Sequence, residues 1–343
     1  PAGDDLAGAD RELERLAALY EKRWPGEAEA VQCYFILLAI AENEKNYAKV
    51  LDYLAKVPEG SAKRGEAELI AGRSLWGGYV AQSNLTGVDK PDPAKLAALA
   101  ADAQKQFEAG LARFKAGIKK PEEASALVAD SALRLANAYV YLGQADKAVA
   151  LLTDPVIGPL ALIAAKAPGT GPAAGSTQPT YAIEANKLAL RAYVATQALD
   201  KAEATMDALE KLVGSDEAGG KAGGELTRIY IALGTDQETQ LKSLRAAGEA
   251  EQAAQVSKGF ELFLDKISQA ADVDFRSLNW VADTFYNLGN AYLGSDGSVT
   301  EQARAYYQKS TATDEKILAR GASDTAFAQL DYLLAVKIRL LIA

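Results

Sequence analysis

Histidine is absent from the 343 residues of this chain, and cysteine occurs once, at Cys33. The first absence excludes catalysis by a histidine acid or base and any metal site built on imidazole ligands. The second excludes a disulfide within the chain. Because Cys33 lies in the apolar run VQCYFILLAI, we expect a buried thiol rather than a nucleophile. We therefore predict a protein that is not an enzyme and that uses no cofactor and no metal.

The chain also lacks an excess of positive charge and long apolar runs. It has 37 Lys and Arg against 46 Asp and Glu, a formal net charge of −9. This balance argues against nucleic acid, whose phosphates require clustered basic side chains, and against electrostatic attachment to anionic lipid. No run reaches the ~18 apolar residues of a membrane span. We expect a soluble protein without membrane insertion, either cytoplasmic or exported after loss of a signal peptide.

Helix-forming sequence fills most of the chain. Ala, Leu, Glu, Lys and Gln dominate, and strict alternation of apolar and polar residues persists nowhere. This pattern predicts an all-α protein with an N-terminal helix over about 5–23 and an apolar C-terminal helix over about 323–343. Prolines and glycines predict interruptions at 83–94 and 168–180. The stretch 236–271 indicates one very long helix or two.

One helical hairpin recurs along the chain, most clearly as ADSALRLANAYVYLGQADKAVALLTDP over 129–155. We expect the small residues Ala136 and Ala148 to let its two helices approach closely. The larger Tyr139 and Leu152 then fill the gaps between the helices. A glycine falls at the turn, where a positive φ costs that residue little.

The hairpin resembles the tetratricopeptide repeat, a helix–turn–helix of about 34 residues. A second clear copy, with FYNLGNAYLG and EQARAYYQKS, lies within 282–310. The resemblance implies a right-handed α-solenoid, because one such unit buries its apolar face only against its neighbours. We expect a single divergent solenoid over 1–343 and, since the initiator Met is missing, a piece of a longer protein. The same phase places six hairpins, beginning near residues 31, 65, 129, 183, 220 and 282.

The resemblance also implies a binding groove along the first helices of the hairpins. Family members that grip peptide carboxylates use Lys, Asn and Arg side chains at these helix positions, through charge-assisted hydrogen bonds. The corresponding candidate residues here are Arg73, Arg134, Asn137, Lys187, Arg191, Lys221, Arg228 and Asn290. We therefore expect a non-catalytic scaffold that binds a partner protein or peptide, with an acidic or C-terminal segment in the groove.

Other interpretations compete with this hypothesis. In the first alternative, the basic and amide side chains are ordinary solvated residues that pair with the chain's own Asp and Glu. Alternatively, the chain is a self-assembling segment of a larger helical-repeat protein, with the apolar C-terminal helix as its contact. The segment GSDEAGGKA resembles a phosphate-binding loop, but its spacing is wrong and Ala222 replaces the required hydroxyl. We expect Trp24, Trp76 and Trp280 in the core.

Overall fold

In the computed structural model, 81% of the described residues are helical and none of them forms a strand. The predicted all-α class is therefore confirmed. The structure describes residues 4–24, 28–85, 91–171, 180–216, 228–232, 234–235, 238–239, 241, 250–269, 273, 275–294, 296–321 and 336–337. The predicted C-terminal helix over 323–343 and the hairpin near 220 lie largely outside these residues.

Thirteen α-helices have defined bounds within the described residues. They are α1 (Asp4–Arg23), α2 (Ala28–Asn43), α3 (Tyr47–Lys56), α4 (Arg64–Ser83), α5 (Pro93–Gly117), α6 (Ala126–Tyr141), α7 (Ala145–Leu152), α8 (Pro159–Ala164), α9 (Tyr181–Ala195), α10 (Leu199–Asp216), α11 (Ala250–Gln269), α12 (Phe275–Ala291) and α13 (Glu301–Gly321). The chain divides into two compact units, Pro1–Ala192 and Tyr193–Ala343. Several helices that follow one another in sequence pack side by side, among them α4 with α5 in the first unit and α12 with α13 in the second.

The helix starts match most of the predicted hairpins. The structure begins α2, α4, α6 and α9 at residues 28, 64, 126 and 181, against predicted starts near 31, 65, 129 and 183. For the start predicted near 282, the structure begins the helix earlier, with α12 starting at Phe275. Phe275, Leu278 and Val281 are buried and continue the apolar stripe one turn at a time towards the N-terminus. The predicted interruption at 83–94 coincides with the end of α4 and the start of α5.

Burial follows the predicted small and large positions of the clearest hairpin. Ala136, Tyr139, Ala148 and Leu152 are all buried, at 0%, 6%, 0% and 1% exposure. Gly143 occupies the turn between α6 and α7 with a φ of +71°, a conformation that favours glycine. The packing rule read from sequence therefore holds for this pair of helices.

The tryptophans follow the prediction less closely. Trp76 is buried with 5% exposure, whereas Trp24 is 48% exposed. Trp24 comes just after the end of α1, and the ring it packs against is that of Tyr20, 5.4 Å away between centroids. Trp280 is half-buried on α12. The expectation of a core tryptophan was therefore wrong for Trp24, which follows the end of α1 and keeps about half of its surface exposed.

In the first unit, α4 and α5 approach closely because glycines replace side chains at their contact. A Cβ atom on Gly72 would lie 2.8 Å from the ring of Phe107, and one on Gly110 would lie 2.6 Å from Leu69. Such distances are well inside van der Waals contact, so each glycine makes the room that a large neighbour occupies. Both neighbours, Phe107 and Leu69, are completely buried.

A buried ionic network joins the end of α3, the start of α4 and α5. Glu68 is 2% exposed, and its two carboxylate oxygens accept hydrogen bonds from Arg64 Nε (2.8 Å) and Arg113 Nε (2.9 Å). Arg64 also donates from Nη1 to the carbonyl oxygens of Leu54 (2.9 Å) and Val57 (2.7 Å). The buried charge is therefore balanced, and two carbonyls at the end of α3 gain a donor.

In the second unit, polar contacts join α13 to α11 and α12. Lys309 Nζ contacts Glu261 Oε1 at 2.5 Å and Asp265 Oδ2 at 2.6 Å, which links α13 to α11. The buried hydroxyl of Ser310 donates to the carbonyl oxygen of Ala282 at 2.9 Å, which links α13 to α12. The register of α13 is therefore fixed by hydrogen bonds as well as by apolar packing.

The substitution Glu68→Gln should strongly destabilise the protein. It keeps the shape of the side chain but removes the buried negative charge that two guanidinium groups contact, which leaves the exposed Glu59 as their remaining carboxylate partner. We expect the free energy of unfolding to fall by about 3 kcal/mol, as in other broken buried ion pairs. Urea unfolding followed by circular dichroism measures this change.

The matched control is Glu66→Gln on the same helix. Glu66 pairs with Lys63 at 2.8 Å, but both side chains are at least one-third exposed. Such a pair contributes about 0–1 kcal/mol. Equally small effects of the two substitutions would contradict a stabilising role for the buried network.

Asp314 on α13 makes the stability of the protein depend on pH. The residue is 1% exposed, and burial raises the pKa of its carboxyl group from 3.8 to about 7. Between these two values the folded protein holds a proton that the unfolded chain releases, so the free energy of unfolding falls as the pH rises through this window. Each pKa unit corresponds to about 1.4 kcal/mol.

We expect Asp314→Asn to remove most of this dependence, because the amide is similar in shape but does not ionise. Calorimetry at about pH 5 and pH 8 should show a larger drop in melting temperature for the wild type than for the variant. The control is Glu315→Gln, which alters an exposed neighbour and should leave the wild-type difference in place. An identical pH profile for Asp314→Asn and the wild type would refute the assignment.

Candidate functional site

A cleft of about 530 Å³ lies between α4, α6 and α9 in the first unit. We call it the α4–α6–α9 cleft. Its volume falls in the range of about 300–1,000 Å³ that is usual for ligand sites. These are the first helices of three consecutive predicted hairpins. The cleft is lined by Trp76, Gly77, Val80, Ala81, Asp130, Leu133, Arg134, Asn137, Glu184 and Leu188.

Local hydrogen bonds fix the starts of α6 and α9, two of the helices that line the cleft. Ser125 precedes α6 and Thr180 precedes α9, and each hydroxyl oxygen accepts a hydrogen bond from the main-chain N–H three residues further on. This is the usual N-cap, which satisfies one of the free donors of a helix's first turn. The Tyr181 hydroxyl donates to the carbonyl oxygen of Ala129 at 3.0 Å, so the start of α9 is tied to α6.

Each helix presents residues four apart to the cleft, because positions i and i+4 share one helix face. Trp76 and Val80 of α4, Leu133 of α6 and Leu188 of α9 form an apolar floor. Trp76 and Leu188 are buried, at 5% and 4% exposure, whereas Val80 and Leu133 are half-buried. The floor therefore keeps apolar surface that an added side chain would cover.

An aromatic cluster borders this floor. The rings of Trp76 and Tyr79 stack at 5.0 Å between centroids with an 18° interplanar angle. Tyr141 stands almost perpendicular to both rings, at 5.8 Å from each. Burial raises the pKa of the Tyr79 phenol above its usual value. Tyr141 is 55% exposed and presents an aromatic surface to solvent beside the cleft.

Arg73, two turns before Val80 on α4, forms an ion pair with a carboxylate. Its Nε and Nη2 donate to the two oxygens of Glu42 on α2, at 2.8 and 2.9 Å. This hydrogen bonding to Glu42 raises the pKa of Arg73, and the charge of Asp130 adds to the effect. Arg73 therefore lies close to the cleft, but its planar donor edge is already occupied within the chain.

The two other predicted cations beside the cleft also have carboxylate partners. Arg134 Nε donates to Asp130 Oδ2 at 2.7 Å, and Lys187 Nζ contacts Glu184 Oε1 at 2.8 Å. Each pair joins neighbouring turns of one helix and is partly exposed. The rim of the cleft is thus nearly balanced in charge, although the sequence suggested a basic row.

Asn137 differs from these cations. It is half-buried in the lining of the cleft, and no hydrogen bond to its amide is found within the described residues. An amide of this kind offers two N–H donors and a carbonyl acceptor. Its position over the apolar floor makes these groups accessible to a ligand.

The remaining predicted residues lie away from the lining. Arg191 is half-buried further along α9, and Arg228 is an exposed residue of the second unit. Asn290, on α12, accepts a hydrogen bond from the Tyr307 hydroxyl at 2.7 Å. Lys221 lies outside the described residues. Of the eight candidates, Arg134 and Asn137 line the cleft and Arg73 and Lys187 lie beside it.

The sequence reasoning did not single out the aliphatic residues of the floor, Val80, Leu133 and Leu188. A signal was present for two of them, because Leu133 and Leu188 are the chain neighbours of the predicted residues Arg134 and Lys187. In the second unit a further cleft of about 600 Å³ lies beside α12 and α13, where Leu293 is 37% exposed.

Among the residues that the structure describes, no group of three or more His, Cys, Asp or Glu side chains is placed to hold a metal ion. Cys33 is half-buried on α2, and burial raises the pKa of its thiol, which disfavours the nucleophilic thiolate. Among the same residues, no helix combines the length and the apolar character needed to cross a bilayer.

Comparisons with known proteins identify no relative of this chain, so a functional proposal has to start from the α4–α6–α9 cleft. No protein-family model matches the chain, and searches of curated proteins and of solved structures find no match.

Proposed function

We propose that the protein is a non-catalytic scaffold that binds a partner polypeptide in the α4–α6–α9 cleft. In this proposal the helical hairpins form a divergent right-handed solenoid of the tetratricopeptide kind, whose first helices line the binding groove. The cleft supports the proposal because the first helices of three predicted hairpins line it together.

The observation that carries the proposal is an available amide beside an apolar floor. A polypeptide presents alternating N–H and C=O groups, and Asn137 can donate to one and accept from another. The floor of Val80, Leu133 and Leu188 would remove an apolar side chain of the partner from water, which contributes about 25 cal/mol per Å² of buried area. Rigid helices on three sides limit the entropy lost on binding.

An acidic or C-terminal partner segment is the second part of the proposal. The pairs of Arg134 with Asp130 and of Lys187 with Glu184 are partly exposed, so each contributes only about 0–1 kcal/mol. An incoming carboxylate can therefore replace an internal one at little cost. We expect its effect mainly on the association rate and on the salt dependence.

We expect Asn137→Ala and Leu133→Glu to weaken peptide binding at the cleft. Peptides are first selected on the wild-type protein from a displayed random library and then measured by fluorescence anisotropy. Each substitution should raise Kd at least about tenfold, equivalent to about 1.4 kcal/mol. The first removes a hydrogen-bonding group, and the second places a charge on the apolar floor.

The control is Leu85→Glu, which puts the same charge on a leucine that is already 44% exposed and is not part of the cleft lining. Melting curves confirm that each variant is folded. If the selected peptides bind both cleft variants as tightly as the wild type, the proposal is wrong.

The double substitution Arg134→Glu with Lys187→Glu tests the acidic partner. Acidic peptides among those selected should lose at least about tenfold in affinity at low salt, and less at high salt, because surface charges are screened. The charge-matched control reverses Lys119 and Lys120, two exposed residues outside the cleft. Equal losses in the two double variants would show only a general charge effect and would contradict a role for the cleft cations.

A further inference from the structure

Helix α4 contains four glycines, and three of them are explained by packing inside the protein. A Cβ atom on Gly65, Gly72 or Gly78 would lie within 3.3 Å of an aromatic ring on α5 or α3. At these positions the missing side chain makes room for the ring. Glycine destabilises a helix interior relative to alanine, so each of these residues has a compensating contact.

Gly77 has no such contact. It lies in the interior of α4 and is exposed. Apart from its chain neighbours and the adjacent backbone of α4, no heavy atom of the described residues lies within 4 Å of the Cβ position. Unlike the turn glycines Gly143 and Gly297, it does not need a positive φ. The described part of the fold therefore gives no reason for glycine at this position. The open space above Gly77 belongs to the α4–α6–α9 cleft, which Gly77 lines.

We propose that the space over Gly77 receives one bulky apolar side chain of the partner polypeptide. The inference rests on the proposed function and adds the chemistry of the group that anchors the partner. Ala81, one turn further along α4, is also small, and Val80 and Leu133 supply apolar contact surface. A leucine, methionine or aromatic side chain fills such a space and is the kind of residue that dominates interface energetics.

The charges around the cleft favour an uncharged anchor over a charged one. Asp130 and Arg134 lie together on α6, and Glu184 lies with Lys187 on α9. A carboxylate or an ammonium group entering between these pairs would meet attraction and repulsion together, and it would lose its hydration. An apolar side chain meets no such opposition and gains from leaving water. The charged pairs then contact polar groups of the partner on either side of the anchor.

The substitution Gly77→Leu tests the anchor by filling its place with a side chain of the protein. Because glycine leaves the helix interior and no described atom lies nearby, we expect the melting temperature to rise, by about 2 °C. Peptides selected on the wild-type protein and weakened by Asn137→Ala should lose at least about tenfold in affinity for Gly77→Leu. Stability and binding thus change in opposite directions. Ala81→Leu is a second filling variant with the same expected loss of binding.

The matched control is Gly8→Leu, which replaces a helical glycine of α1 that also has open space around it. It should leave peptide affinity unchanged. On the partner side, changing the peptide's single bulky apolar residue to Glu should abolish binding to the wild type, whereas changing its flanking acidic residues should have smaller effects.

Four results would overturn the inference. Peptides weakened by Asn137→Ala but bound equally by Gly77→Leu would show that the anchor is placed elsewhere, and the proposed function would stand. A selection that yields no peptide sensitive to Asn137→Ala or Leu133→Glu would remove the proposed function as well. A lower melting temperature for Gly77→Leu would show that the space is filled by the chain itself. A wild-type dimer in light scattering that Gly77→Leu dissociates would identify a second copy as the occupant.

Discussion

The close approach of α4 to α5 is the constraint on which the cleft depends. Glycines on one helix receive large apolar side chains of the other, so the two backbones lie nearer than ordinary side chains allow. Glu68 and its two arginines close one end of the same contact. With α4 held in this way, Trp76 and Val80 keep fixed positions, and the Tyr181 hydroxyl ties the start of α9 to α6.

Two kinds of charged contact serve different purposes in the first unit. Glu68 is buried and shares its charge with guanidinium groups from α4 and α5, so it acts on stability. The pairs at the cleft join adjacent turns of one helix and face solvent, so they add little to stability and are easily exchanged. Arg73 lies between these cases, because its two bonds to Glu42 connect α4 with α2 while the guanidinium stays partly exposed. The charges at the cleft can therefore be rearranged without loss of the fold, which is what the proposed binding of a polypeptide would require.

The sequence was sufficient for features that depend on neighbours along the chain. Helix class, most helix starts and the burial of Ala136, Tyr139, Ala148 and Leu152 follow from small and large residues repeated at helical spacing. The pairing of Arg134 with Asp130 is also readable, because residues four apart meet on one helix face.

Contacts between distant segments could not be predicted in the same way. Glu42 lies 31 residues from Arg73 in the sequence, and no periodic pattern predicts the ion pair between them. The four glycines of α4 are alike in the sequence, and only the packing of α3 and α5 against three of them shows that Gly77 differs. The phase placed Arg73, Arg134 and Lys187 at or beside the cleft, but their carboxylate partners decide the net charge there.

Arg64 has a further consequence for the way the first unit opens. Its single guanidinium serves both the acid of α4 and two carbonyl groups at the end of α3. Local unfolding that breaks the hydrogen bonds of Arg64 on one side also weakens those on the other. The two helices are therefore coupled across the intervening turn. A lysine would carry the same charge. Its compact ammonium group lacks the planar set of donors that lets Arg64 contact the carboxylate and the two carbonyls at the same time. Replacement of Arg64 by lysine would therefore weaken the packing of α3 against α4, although the charge is conserved.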